Sequence, residues 1–484
     1  MMVTTDGGHA RRGIATTAVS QSTKFVVQLL STIVLARLLA PEDFGLFAMV
    51  FAVAGLATVV GDFGLSSAAI QAREFSSRQR SNLWWLSLGL GLLLWGVLWI
   101  LAPLIENFYD RDGVAEMLRI LGVGFVLSSA SAQYVADLTR KLRFGWLAVS
   151  EIGALVLAFM TAVIAALAGA GAWALVFQQV AYAFALLAMA TAAGRWFPGL
   201  PRSAPMRSLV KFGGNTLGVQ LLSYLSTNVD SIVLGRVAGP VQLGLYDQAY
   251  RLFKVPVQQI AAPLTRVALP LLARRQDDLP GFSRYVVVAQ TGLSYALGSA
   301  FVIGAALSEP VVGLLLGGQW DAAVPLFAVL ALGGVFQSMG YVYYWVFLGL
   351  GLTGLQLRYS LITRSIMIIA IILSARWGAM GVAIAVTASL ALNWVVLTLF
   401  PMRRTGLALG EIVGSACRSF AVHAVVGGVL LLVDSVWLAT YPDVVRVAAG
   451  LITALMIYGS LLSLVPGLRR DVLPLVRQLP FRAR

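Results

Sequence analysis

Cysteine and histidine are almost missing from this chain: one cysteine, Cys417, and two histidines, His9 and His423, stand among 484 residues. A disulfide framework needs cysteine pairs, and a His/Cys metal cluster needs several ligands, so both are excluded. Charge is scarce as well, at 12% of residues against about 25% in ordinary soluble domains. The chain has no Gly-Lys-Ser/Thr phosphate loop and no H-E-x-x-H, G-x-S-x-G or Cys-x-x-Cys pattern, which argues against an ATPase, a zinc protease, a serine hydrolase or a dithiol enzyme. Nor is there an Asp-rich loop of the kind a metal-dependent glycosyltransferase uses. The residues offer no catalytic group, no metal site and no cofactor site, so a non-enzyme is expected.

What is abundant is apolar: 59% of residues are hydrophobic and 48 are glycine, with a mean hydropathy of +0.85. Such a chain cannot be wrapped in a polar surface, so its solvent is lipid, and its apolar content suffices for around fourteen spans of ~20 residues. The opening Met1–Arg12 is short and polar. The apolar stretch from Gly13 to Leu39 that follows is too long for a signal core and ends in Ala40-Pro41-Glu42-Asp43. It reads as a first membrane helix rather than a cleavable leader.

Apolar runs and their breaks predict helices near 13–39, 43–69, 82–104, 114–137, 144–168, 171–194, 209–237, 242–272, 284–306, 323–350, 356–376, 379–401, 412–434 and 444–466. The connecting loops then alternate in charge. One set, from Arg11/Arg12 through Arg73/Arg78/Arg80, Arg140/Lys141/Arg143 and on to Arg469–Arg484, holds 23 of the 35 basic residues. The other holds only Arg111, Arg376 and Arg446 beside ten acids. Because Lys and Arg stay cytoplasmic, both termini are expected inside, and most of the net charge of +14 is a topology signal rather than nucleic-acid affinity. No loop exceeds about 20 residues, which leaves no room for an extramembrane catalytic domain.

A repeat runs through the chain at a spacing of 199. Residues 33–47 and 232–246 share seven of fifteen positions without a gap, among them Arg37/Arg236, Pro41/Pro240 and Gly45/Gly244. A second echo pairs Gly171-Ala172 with Gly378-Ala379. Six spans per copy make the repeat parallel, and parallel halves place a substrate path between them. The expected organisation is an all-α polytopic membrane protein: an N-terminal lobe over 1–200, a second lobe over 201–405, and two further helices with a basic tail over 406–484.

Charge at bilayer depth is costly and therefore points to a partner or a wet cavity. Three polar stripes lie at helical spacing: Gln21, Lys24, Gln28 and Ser31; Gln220, Ser223, Thr227 and Asp230; and Asp247, Arg251, Lys254 and Gln258. A rise of ~1.5 Å per residue puts Lys24 and Lys254 each ~16–18 Å deep. Two cations at one level suit a diphosphate. The competing reading has these charges neutralise one another, Lys24 with Asp230 or Arg251 with Asp247, as helix glue. Asp62, Asp137 and Glu151 are candidates for a coupled proton. Pro256, Pro263 and Pro270, seven apart, predict a bent eighth span, as a possible hinge or simply as a curve.

These residues also carry a resemblance. Ala36-Arg37-Leu38-Leu39-Ala40-Pro41-Glu42-Asp43-Phe44-Gly45, the run from Leu243 through Tyr246, Asp247, Gln248, Tyr250 and Arg251 to Leu252 with Pro256 and Pro270 after it, and Gly318-Gln319-Trp320 resemble the Wzx-type polysaccharide flippases. These belong to the multidrug/oligosaccharidyl-lipid/polysaccharide (MOP) exporter superfamily, and the likeness is to their colanic-acid exporter branch. The resemblance implies two six-helix lobes forming a V in the bacterial inner membrane. It implies that undecaprenyl-diphosphate-linked oligosaccharide repeat units are flipped across that membrane by alternating access, beside a polysaccharide polymerase and other assembly components. Lys24, Arg251 and Lys254 would then hold the diphosphate. Three rivals remain: a cation-coupled drug exporter of the same superfamily, a lipid II flippase and a membrane glycosyltransferase.

Overall fold

The structure, a computed structural model, describes residues 6–72, 75–464 and 468. Arg73 and the basic residues from Arg469 to Arg484, counted above for topology, lie outside the described residues, and so do the side chains of Arg11, Arg12 and Asp62. Every regular element among the described residues is helical. Ten helical stretches there are long and apolar enough to cross a membrane, and one of these, Thr353–Arg404, is 52 residues long and contains two successive helices. The chain is thus an all-helical, multi-pass membrane protein. Packing divides it into two compact units, Met1–Gly244 and Leu245–Arg484.

The first unit comprises α1 (Asp6–Leu38), α2 (Pro41–Asp62), α3 (Leu65–Gln71), α4 (Ser77–Tyr109), α5 (Val114–Arg140), α6 (Phe144–Leu167), α7 (Trp173–Gly194) and the first part of α8 (Arg207–Pro256). Lipid supplies no hydrophobic drive between helices, so close packing rests on small residues. Gly91 of α4 lies against Ser129 of α5, Gly122 of α5 against Trp95, and Ala154, Ala158 and Ala162 form a buried stripe along α6. The second span, expected unbroken over 43–69, instead stops at Phe63 and Gly64. Both adopt left-handed φ of 46° and 62°, and the chain resumes as the short α3. A Cβ at Gly64 would meet the Gly213 carbonyl, so this elbow is cut to fit the start of α8.

α8 reads as one helix but breaks at Gly239, where φ is +80°. Its repeat partner Ala40 marks the matching break, the extended residue before α2. The two copies then cross reciprocally. A Cβ at Gly45 would land on the carbonyl of Pro240, and one at Gly244 on the carbonyl of Pro41. The four residues are repeat-equivalent in pairs, so the sequence repeat is expressed as a near-symmetric backbone contact. Further along, the Tyr224 hydroxyl donates to the carbonyls of Phe51 and Ala52 at 3.2 and 3.0 Å. These contacts hold the first part of α8 on the first unit.

The second unit comprises the rest of α8, α9 (Ala262–Ala273), α10 (Leu279–Leu293), α11 (Ser299–Ala306), α12 (Ser308–Leu315), α13 (Val324–Gly349), α14 (Thr353–Ser374), α15 (Gly378–Leu399), α16 (Leu409–Val433) and α17 (Asp443–Leu464). α13 is its axis, with Tyr343 and Trp345 wholly buried. The Trp345 indole donates to Thr265 of α9 at 2.9 Å. Three π-helical turns interrupt spans that read as unbroken: Val257–Ala261, Ser294–Gly298 and Asp434–Leu438. Two of them begin at a residue that makes a tertiary polar contact. The Ser294 carbonyl accepts a hydrogen bond from His423 Nε2 at 2.9 Å, while His423 Nδ1 accepts from the Tyr458 hydroxyl at 2.7 Å. Asp434 takes both the Nε–H and an Nη2–H of the buried Arg446, at 2.9 and 2.7 Å, and Glu309 takes another at 3.0 Å.

The reciprocal crossing gives a direct test. Gly45→Ala and Gly244→Ala each push a methyl into backbone, a clash no rotamer relieves, and each is expected to cost about 1–3 kcal/mol. Gly96→Ala in α4, which faces open space, is expected to be neutral or slightly stabilising. Thermal unfolding of the three purified variants in detergent checks the ranking.

Candidate polar face of α1 and α8

In the first unit the α1 stripe turns two of its four members inward. The Lys24 ammonium is paired with the Glu151 carboxylate of α6, both side chains about four-fifths buried. Ser31 accepts a hydrogen bond from Gln178 of α7 at 2.9 Å. Gln28, between them in register, is exposed. The expected alternative of Lys24 against Asp230 is not the pair that forms: Asp230, buried on α8, accepts the backbone N–H of Ser231 at 2.9 Å. Glu151 succeeds because α6 lies directly along α1, whereas the i, i+3, i+7 rule only says which residues share a face. Asp137, another sequence candidate for a proton site, is 4% exposed between Arg80 and Lys141, at 2.9 and 2.7 Å.

In the second unit Asp247, Arg251, Lys254 and Gln258 follow one another along the end of α8 and the π turn after it. Asp247 Oδ2 accepts the Nε–H of Arg251 at 2.7 Å, an i, i+4 pair in which Arg251 stays 45% exposed. Lys254 Nζ lies 4.2 Å from the centre of the Tyr250 ring. That ring belongs to a stacked ladder, Tyr246–Tyr250–Phe253–Phe301, with centroid spacings of 5.6, 5.4 and 5.3 Å. The ladder fixes the rotation of α8 and so presents Arg251 and Lys254 together. The carboxylate takes only the Nε side of Arg251. Among the described residues the two terminal amino groups have no partner, and that fork matches a phosphate or carboxylate bidentately. Gln258 is exposed. Pro256 closes α8, the π turn spans the gap, Pro263 sits in the first turn of α9 and Pro270 inside it. A proline removes its own donor and displaces the carbonyl a turn before it, which is where a π turn relieves the crowding.

Sequence reasoning missed Gln248, wholly buried with neither amide atom partnered among the described residues. It also missed His423, where nothing in a lone histidine announces the Tyr458 and Ser294 contacts. For Gln248 a signal existed: it lies inside the Leu243–Leu252 motif, next to Asp247.

Comparisons with known proteins bear on the family and the fold. A family model described as polysaccharide biosynthesis protein matches residues 34–325, more than half the chain. The chain is 31% identical over 287 residues to the teichuronic acid biosynthesis protein TuaB of Bacillus subtilis, covering 58% of this chain and 59% of that protein's length. It is 25% identical over 404 residues to the lipopolysaccharide biosynthesis protein WzxC of Escherichia coli, covering 81% and 79%. With the succinoglycan biosynthesis transport protein ExoT of Rhizobium meliloti it shares 25% over 339 residues, or 69% and 67% of the two chains. Among solved structures, the lipid II flippase MurJ in an inward closed conformation superposes with a TM-score of 0.70 at 14% identity, covering 92% of this chain and 98% of MurJ. An inward-facing multidrug resistance MATE family transporter of the MOP superfamily gives 0.57 at 18%, covering 80% and 96%. These likenesses establish the fold.

The Lys24–Glu151 pair is open to a double-mutant cycle. Lys24→Met and Glu151→Gln each strand one charge inside the first unit and are each expected to cost about 1–3 kcal/mol. The double variant is expected to recover at least half of the summed loss, as measured by thermal unfolding.

Proposed function

This chain belongs to the polysaccharide biosynthesis protein family, and from that premise we propose that it flips undecaprenyl-diphosphate-linked oligosaccharide repeat units across the bacterial inner membrane. The observation that carries the reading is the end of α8: Arg251 keeps its terminal amino groups unpartnered while Asp247 holds its Nε, one turn before Lys254. A diphosphate head would bind that fork and the adjacent ammonium, with the polyprenyl tail remaining in lipid. Lys24 would take part by exchanging Glu151 for the ligand, and Gln28, Asp230 and Gln258 would line the path for the glycan.

Transport by alternating access requires that the cargo bind the two states unequally. In this reading the moving parts are the two six-span lobes, 1–200 and 201–405, in a fourteen-span chain with both termini cytoplasmic. The proline-bounded π turn at 256–263 supplies the bend. A polysaccharide polymerase would receive the product. The names of TuaB and WzxC place those proteins in polysaccharide biosynthesis, and that of ExoT adds transport, which supports this reading in general terms. A cation-coupled drug exporter would share the fold but would be better served by unpaired carboxylates, whereas Asp247 and Glu151 are each held by a cation.

Arg251→Glu and Lys254→Glu are each expected to abolish surface polysaccharide in a deletion strain while membrane levels, followed by immunoblot, stay normal. Arg251→Ala is expected to reduce it at least tenfold, on the scale of about 1.5–3 kcal/mol for a charge-assisted hydrogen bond. Full activity in both charge reversals would withdraw the site and leave the fold untouched.

A further inference from the structure

A second cationic place lies in the first unit, away from the stripes just described. Where α3 ends, α4 begins and α5 ends, a cavity of about 200 Å³ is lined by Phe75, Ser76, Ser77, Arg80, Asp137, Arg140 and Lys141. A single water needs about 10–15 Å³ of such space, so the cavity is roomy enough for a phosphate group. Its described lining carries three cations and one carboxylate.

The cations are built in rather than scattered on a surface. Arg80 is held by Asp137 at 2.9 Å and by its stacking on Trp196, 4.1 Å from the ring centre. Arg140 donates to the carbonyls of Ala69 at 2.9 Å and of Ala72, closing the end of α3, and lies 5.4 Å from the Phe75 ring. Lys141 reaches Asp137 at 2.7 Å while remaining about half exposed. Asp137 is therefore shared between two cations, and the cluster keeps a surplus of positive charge. At the same wall the 33-residue α4 begins. Ser76 caps it by accepting the Gln79 N–H at 3.2 Å, so the amides of Ser77 and Arg78 at its first two positions are left over from the helix ladder. The positive end of a helix and basic side chains beside one cavity favour an anion there.

We infer that this elbow binds a phosphate group at the basic end of the first unit, with Lys141 and Arg140 as cations and Ser77 as a hydrogen-bond donor. The group would come from the headgroup of an anionic phospholipid or from phosphate in solution. The inference does not depend on the flippase reading, since it concerns residues outside the α1 and α8 stripes and its test reads binding rather than transport.

The test is thermal unfolding of the purified full-length protein in dodecylmaltoside, titrated with phosphatidylglycerol, phosphatidylcholine, inorganic phosphate or pyrophosphate. A ligand that binds only the folded state raises the unfolding temperature with its concentration. Phosphatidylglycerol is expected to stabilise the protein where phosphatidylcholine does not. Lys141→Gln, a change at a half-exposed position, is expected to weaken the apparent affinity about tenfold, and Ser77→Ala to weaken it less. Stabilisation by phosphate or pyrophosphate as well would identify the phosphate itself as sufficient. Stabilisation by phosphatidylglycerol alone would identify the lipid as the source. The proposal is overturned if none of the three anionic probes exceeds phosphatidylcholine, or if Lys141→Gln responds as the unaltered protein does.

Discussion

A charge placed where water is scarce must find a partner, and that requirement organises the polar interior of this protein. Lys24 reaches Glu151, Arg446 gathers Asp434 and Glu309, and Asp137 is clasped by Arg80 and Lys141. Lys24–Glu151, Arg446–Asp434, Arg446–Glu309 and Arg80–Asp137 each join different helices, so these pairs also fix which helices are neighbours, while Lys141 reaches Asp137 from the end of the same helix. The Asp247–Arg251 pair has no cross-helix member. Both of its members lie on α8, so it joins no two helices, and it leaves the arginine fork outward. A pair that contributes nothing to tertiary structure is better suited to exchange one partner for a ligand than a pair that holds two helices together.

Between the charges the helices meet through small residues. Where Gly45 and Gly244 cross the carbonyls of Pro41 and Pro240, the repeat is visible as geometry, since each copy supplies one glycine and one proline carbonyl. Proline provides an accessible carbonyl flank at a helix start, and glycine provides the absence of a side chain that lets backbone approach. This explains why the identities retained across 199 residues include Pro and Gly as well as apolar positions, which any membrane helix could supply.

The helical class and the membrane solvent were legible from hydropathy alone, because a lipid-facing helix must be apolar along its length. Most helix positions followed, as did the breaks at Ala40 and Gly239. The elbow at Phe63–Gly64 and the π turns at 257–261, 294–298 and 434–438 were not legible, apart from the proline-marked first of them. They depend on what a neighbouring helix presents: the Gly213 carbonyl, the His423 ring and the Arg446 guanidinium. The stripes were readable as faces, and the Asp247–Arg251 pair was readable from its i, i+4 spacing, but the partner of Lys24 was not. Glu151 lies 127 residues from Lys24, and helical periodicity carries no information across that distance.

The two charge clusters are opposite in sign. In the first unit one carboxylate, Asp137, is shared by Arg80 and Lys141. In the second, one guanidinium, Arg446, is shared by Asp434, Glu309 and, at 3.8 Å, Asp443. Each minority charge therefore sits buried inside a majority of the other sign. A lone opposite charge stabilises several like charges at once, lowering the repulsion that like charges gathered at a helix end would otherwise build up. Clustered like charge is on this view a folding problem, and Asp137 and Arg446 are its solutions. It follows that replacing either should be felt across its whole cluster rather than in one ion pair.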